Sequence, residues 1–185
     1  MGGARRVAND PLRKERILDA ALTVIADRGV HGTTHRRIAA EAEVPLGSLT
    51  YHFEGLDAIL EQAFQRLADT MGDRYAAALT EAPDQDAACA AVTDLICGDE
   101  YATPREMALL HEMYSFANHN RTVAETCRQW LSRSHARLGT HFSPRASRAI
   151  DALIEGWPMH QAWEQQPLDR DLVLTTITAI AQRFR

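Results

Sequence analysis

Apolar positions along this chain recur at three- and four-residue intervals and do not alternate in the two-residue rhythm of a half-buried strand. From residue 57 to about 81, Leu60, Phe64, Leu67, Met71, Ala78 and Leu79 form one stripe, predicting a long amphipathic helix that Pro83 ends. A second helix is expected from about Asp84 to Cys97, stopped by Gly98. Thr103-Pro104-Arg105-Glu106 combines an N-cap hydroxyl, a proline at the first helical position and a capping-box glutamate, so another helix starts there. Its expected inner face is Met107, Leu110, Tyr114 and Ala117. Val123, Cys127, Trp130, Leu131 and Leu138 mark the next helix, to about Phe142. Ser143-Pro144 opens one with Ile150, Leu153, Ile154 and Trp157 inward, which Pro158 should kink or divide. After Pro167 a last helix carries Leu172, Val173, Ile177, Ile180 and Phe184. The fold class this predicts is all-α.

Residues 33–53, TTHRRIAAEAEVPLGSLTYHF, break the amphipathic pattern. They read as two short helices around a tight turn. Thr33 or Thr34 supplies the first N-cap, because a hydroxyl there satisfies orphan backbone donors. Ile38, Ala39 and Ala42 form an inner face, while His35, Arg36 and Arg37 project from the first turn and a half. Val44 plugs the turn. Pro45 stops the first helix and suits the first turn of the second. Gly47 permits close backbone approach, either to a neighbouring helix or to a phosphate. Leu49 points inward and Phe53 closes the unit. The outward Ser48, Thr50, Tyr51 and His52 suit hydrogen bonds to phosphates and base edges, as in a helix-turn-helix.

The stretch from about Ile17 to Leu60 resembles the DNA-binding head of the tetracycline-repressor (TetR) family of transcriptional regulators. The resemblance rests on RILDAALTVIADRGVHGTT, on RRIAAEAEVPLGSLTYHF, and on an acidic helix start at Asp57. It implies a three-helix head, residues 1–55, on a larger helical body, residues 56–185, that binds an effector and dimerises. The DNA-binding residues it implies are Thr34, His35, Arg36, Arg37, Pro45, Leu46, Gly47, Ser48, Thr50, Tyr51 and His52. It further implies a homodimer joined through the last two long helices, roughly 144–163 and 169–184, and placed on a palindromic double-stranded operator. Repression relieved by a small molecule is the implied direction. Two positions depart from the family pattern. Glu43 stands where the turn usually has Gly, costing roughly 1 kcal/mol if the backbone there is left-handed. Leu56 stands where a Lys usually meets a phosphate.

Charge changes the picture once it is divided. The net charge of −5 argues against nucleic acid, but residues 1–53 hold 8 Lys+Arg against 6 Asp+Glu, and residues 54–185 hold 12 against 19. The head is mildly basic, with further reach from Arg5, Arg6, Arg13, Lys14 and Arg16. No apolar run approaches the roughly 18 residues of a membrane span. Three cysteines without metal-ligand spacing fit a reducing cytoplasm. No cofactor and no metal is expected. His111-Glu112 opens like a zinc-protease motif, but Ser115 stands where the second histidine is required.

An effector pocket is expected in the body. Its candidate lining is Tyr75, His111, Tyr114, Phe116, Trp130, Trp157 and His160, aromatic or polar groups on otherwise apolar helices. An all-helical enzyme using His111, Glu112 and His160, or a protein-interaction module, are the rival readings. No nucleophile or metal spacing favours the first.

Overall fold

The computed structural model describes residues 12–99, 101–164 and 166–185, and every regular element among them is an α-helix. These are α1 (Arg13–Arg28), α2 (His35–Glu41), α3 (Leu46–His52), α4 (Leu56–Thr80), α5 (Gln85–Cys97), α6 (Pro104–Ala117), α7 (Arg121–Leu138), α8 (Pro144–Glu164) and α9 (Arg170–Arg183). Arg5 and Arg6, expected to extend the basic reach of the head, lie outside the described residues. No described helix is long and apolar enough to cross a membrane.

The chain divides into one unit that ends at Phe64 and another from Gln65 to Arg185. In the first, α1 packs on α2 and α2 on α3. Ile17, Ala21, Ile38, Leu49, Ile59 and Phe64 have no exposed surface. Gly29 ends α1 at φ 67, a left-handed value that an L side chain rarely adopts. The buried Thr33 hydroxyl then donates to the Gly29 carbonyl at 2.8 Å, fixing the approach to α2.

In the second unit α8 is central, packing against α5, α6, α7 and α9, and α5 also lies along α9. Local chemistry sets the helix starts. Asp84, Asn120 and Asp169 accept from the backbone N–H groups of Ala87, Val123 and Leu172 at 2.8, 3.0 and 3.1 Å. Thr103 and Glu106 close a complete capping box, with Pro104 as the first helical residue. Far-separated segments are tied by polar contacts. The Gln85 amide donates to the His141 carbonyl at 2.9 Å, and the His141 ring meets the Leu79 carbonyl at 3.0 Å.

The observed inner faces differ from the expected ones at several positions. Leu109 and Met113 are fully buried on α6, whereas Ala117 is only half-buried. Leu131 on α7 and Leu172 on α9 are exposed; Thr126 and Ser134 take the inner positions of α7, and Ala181 joins Val173 and Ile177 on α9. On α8 the buried stripe is Ala146, Ser147, Ile150, Asp151, Ile154 and Pro158, with Leu153 and Trp157 half-buried. Hydrophobicity alone misplaced these faces because small and polar residues can be buried once hydrogen-bonded. Pro158 does not divide α8, which runs through it.

Replacing Thr103 with Ala removes the hydroxyl that accepts from the Glu106 N–H. It should lower stability by about 1 kcal/mol, read as an earlier midpoint in urea unfolding at an unchanged m-value.

Candidate nucleic-acid interface and body site

The turn between α2 and α3 is built on backbone hydrogen bonds. Ala42 N–H and Val44 N–H donate to the Ile38 and Ala39 carbonyls at 2.9 and 3.0 Å, and Ser48 N–H donates to the Pro45 carbonyl at 2.8 Å. Between them Glu43 adopts φ 52, so the departure noted in the sequence does occupy a left-handed position. Thr34, not Thr33, is the N-cap of α2, its hydroxyl accepting from Arg37 N–H at 3.3 Å. An Arg16 guanidinium N–H reaches the Ala42 carbonyl at 3.4 Å, bracing the turn from α1.

On α3 only Leu49 is buried. Burying such a side chain stabilises by roughly 1.5–3 kcal/mol, enough to seat a seven-residue helix on its neighbours but not to hide its other faces. Tyr51 is consequently 80% exposed. Pro45, Leu46, Gly47 and Thr50 are exposed too, and Ser48 and His52 are half-buried. A Cβ placed on Gly47 would meet nothing within 4 Å, so packing against a neighbouring helix is not why the side chain is absent. Thr50 donates to the Gly47 carbonyl at 3.1 Å, and the Tyr51 ring sits edge-on to His52 with centroids 4.9 Å apart.

On α2, Thr34, Arg36 and Arg37 are exposed and His35 is half-buried. The two arginines differ. Arg37 donates to the Gly32 carbonyl, whereas Arg36 makes no hydrogen bond or ion pair among the described residues.

Within the body the candidate effector residues fall into two groups. Tyr75, Tyr114 and Trp130 come together: the Tyr114 and Trp130 rings stack with centroids 6.4 Å apart, and Tyr75 lies 6.3 Å from Tyr101. His111, on α6 with Tyr114, has a buried Nε2 that finds no partner. Phe116 and Trp157 are half-buried and His160 is exposed. Relative to Glu155, Trp157 and His160 sit about 200° and 140° around α8, so neither shares its face.

The sequence reading missed two carboxylates at the centre of this group. Asp151 is 5% exposed; it accepts from the Ser134 hydroxyl and lies 3.1 Å from His135 Nε2. Glu155, one turn on, accepts from the Tyr114 hydroxyl at 2.6 Å. Burial raises both carboxyls above their ordinary values, Ser134 and His135 opposing this at Asp151 and Tyr114 at Glu155. Burial also pushes the Tyr75, Tyr101 and Tyr114 phenols up, with the acids adding to it. The available signal was the i, i+4 spacing of Asp151 and Glu155 inside the Ile150–Ile154–Pro158 stripe.

A sequence profile of the bacterial regulatory proteins of the tetR family matches residues 17–63. The chain is 40% identical to the putative transcriptional regulator SCO7518 of Streptomyces coelicolor A3(2), over 92% of this chain and 99% of that one, with a TM-score of 0.84. It belongs to the TetR family. The TetR-family member SCO1917 of Streptomyces coelicolor A3 is 29% identical, covering 91% of this chain and 98% of that one at a TM-score of 0.74. The multidrug binding protein EbrR, solved with imidazole, is 26% identical over 93% of this chain and 96% of that one, also at 0.74. This TetR-family chain is therefore a sequence-specific DNA-binding regulator acting as a homodimer, of the ligand-responsive repressor type, and not an enzyme.

The raised Glu155 pKa fixes a sign. The fold binds that proton more tightly than the unfolded chain does, so this group stabilises at acid pH and the benefit is lost as pH rises above 4.5 towards the folded value. Glu155→Gln should therefore raise the melting temperature at about pH 8 and lose that advantage below about pH 4, measured as melting temperature against pH.

Proposed function

We propose that residues 1–55 read a palindromic operator through α2 and α3, and that residues 56–185 hold the effector and the dimer face. The observation that carries the first part is Tyr51, 80% exposed on a helix anchored by Leu49. Arg36, Thr50, Tyr51 and Ser48 contact base edges or phosphates. Thr34, His35, Arg37, Pro45, Leu46 and His52 border the same surface, and Gly47 lets a phosphate approach the backbone. Arg37 serves first to hold the α1–α2 connection through Gly32.

The effector is a small molecule taken up by the body among Tyr75, Tyr114 and Trp130, with His111, Phe116, Trp157 and His160 as outlying candidates. EbrR, a relative of similar fold, has been solved with imidazole, proflavin, malachite green and ethidium, which supports a ligand site in this unit. Dimerisation uses α8 and α9, where Met159, Trp163, Leu172 and Leu174 are exposed apolar side chains, Trp163 at 77%. A two-fold partner seated there brings a second α3 to a half-site about 34–36 Å away. The effector acts by preferring one of two spacings of the paired heads, a coupling of about 1–3 kcal/mol.

A gel shift on the DNA upstream of the chain's own gene tests the reading. Arg36→Ala and Tyr51→Ala should each weaken operator binding by about 5- to 150-fold, the equivalent of about 1–3 kcal/mol per base contact, while dimer mass and melting temperature stay unchanged. No shift at low salt on any palindromic site there would refute it. For the dimer face, Trp163→Glu should move the chain from dimer to monomer in light scattering, with helicity by circular dichroism retained.

A further inference from the structure

Helix α3 has an uncommon chemistry for a helix placed to read bases. Residues 46–52 include no Arg, Lys, Asn, Gln, Asp or Glu. Those are the side chains that pair bidentately with guanine or adenine, or accept from cytosine, in the major groove. His52 is half-buried, its ring edge-on to Tyr51 and Phe53 with centroids 4.9 and 6.3 Å away. Ser48 is half-buried as well, and a serine hydroxyl suits any base edge, so it discriminates little.

What α3 exposes at its start is apolar. Leu46, its first residue, is 46% exposed. A lone leucine in solvent is ordinary, but this one has a companion. Thr50 lies four residues on, so the two side chains stand one above the other on one side of the helix. The Thr50 hydroxyl gives its one proton to the Gly47 carbonyl at 3.1 Å. Thr50 therefore has no proton left for a base acceptor, and its exposed methyl is the group that meets a partner. Beside the pair, the space where a Gly47 Cβ would stand is open, so no side chain at that position holds a base edge away.

We propose that Leu46 and the Thr50 methyl together read the C5-methyl group of a thymine in each half-site. In unmodified DNA thymine alone carries a methyl group in the major groove. The inference rests on α2 and α3 reading DNA and adds which base they select. A docked helix-turn-helix sets the N-terminal residues of its second helix at the base edges, which is where Leu46 stands. Thymine there removes both its own methyl and the leucine from water. The other bases set amino or carbonyl groups against the apolar pair, where those groups go without partners. A two-fold symmetric operator counts the contact twice.

The test selects operators from a random duplex pool with the wild-type dimer. Each thymine of the enriched site is then replaced by deoxyuridine in both half-sites, which removes only the methyl. At one thymine position the replacement should weaken binding about 25-fold in a gel shift, about fivefold or 1 kcal/mol for each methyl, with other positions within about twofold. Leu46→Ala combined with Thr50→Ser, which keeps the hydroxyl, should bind the thymine and uracil operators alike, and about as weakly as the wild type binds the uracil one. The uracil scan uses the wild type alone, so it decides whether or not the variant folds. An enriched half-site without thymine, uracil tolerated at every position, or a methyl effect that persists in the variant would overturn the proposal. Failure of the DNA-reading surface itself looks different: no sequence is enriched at all, which overturns both. Enrichment without methyl sensitivity overturns the thymine contact only.

Discussion

Everything at the candidate DNA-reading surface depends on the burial of Leu49. Helix α3 is two turns long, too short to form by itself in water, and Leu49 is its one buried side chain. That contact fixes the rotation of the helix about its axis. Residues at other angles are then committed to solvent, which is how Tyr51 and Thr50 come to be outside. The backbone bonds of the turn hold its shape and the Arg16 brace ties it to α1, so the pair presents α2 arginines and α3 hydroxyls together. The strain at Glu43 is accepted within that arrangement.

The body follows a different logic. A core of this size gains stability from apolar burial, yet α8 turns Asp151 and Glu155 inward at a cost in desolvation. Ser134, His135 and Tyr114 offset part of that cost. A sequence selected for stability alone would place leucine at these positions. Acids retained in an aromatic enclosure are thus a cost that apolar packing alone does not explain.

Much of the fold was legible in the sequence because its signals are local. The Thr103 capping box, the Asp84 start, the Gly98 stop and the Leu60–Phe64–Leu67–Met71 stripe each lie within about three helical turns. The helix-turn-helix was legible for the same reason: Thr34, Val44, Pro45 and Leu49 act within twenty residues of one another. Faces set by distant partners were not. Leu131 and Leu172 look like core residues until neighbouring helices take the other side, and Ser134 looks like a surface residue until Asp151, 17 positions away, meets it. Acids and rings come together only when α4, α6, α7 and α8 are assembled, so the body cluster could be suspected from its aromatic residues but not drawn.

Pro158 lacks an amide hydrogen, so the Ile154 carbonyl has no rung of its own in the α8 ladder. The gap falls between the turn that carries Glu155 and the turn that carries Trp163, and Pro158 itself lines a surface cleft with Tyr101 and Met107. A rod with one missing rung bends there before it bends anywhere else. The stiffness of α8 is therefore uneven: two rigid segments, one bearing the buried acid Asp151 and one bearing the exposed Trp163, meet at its weakest rung.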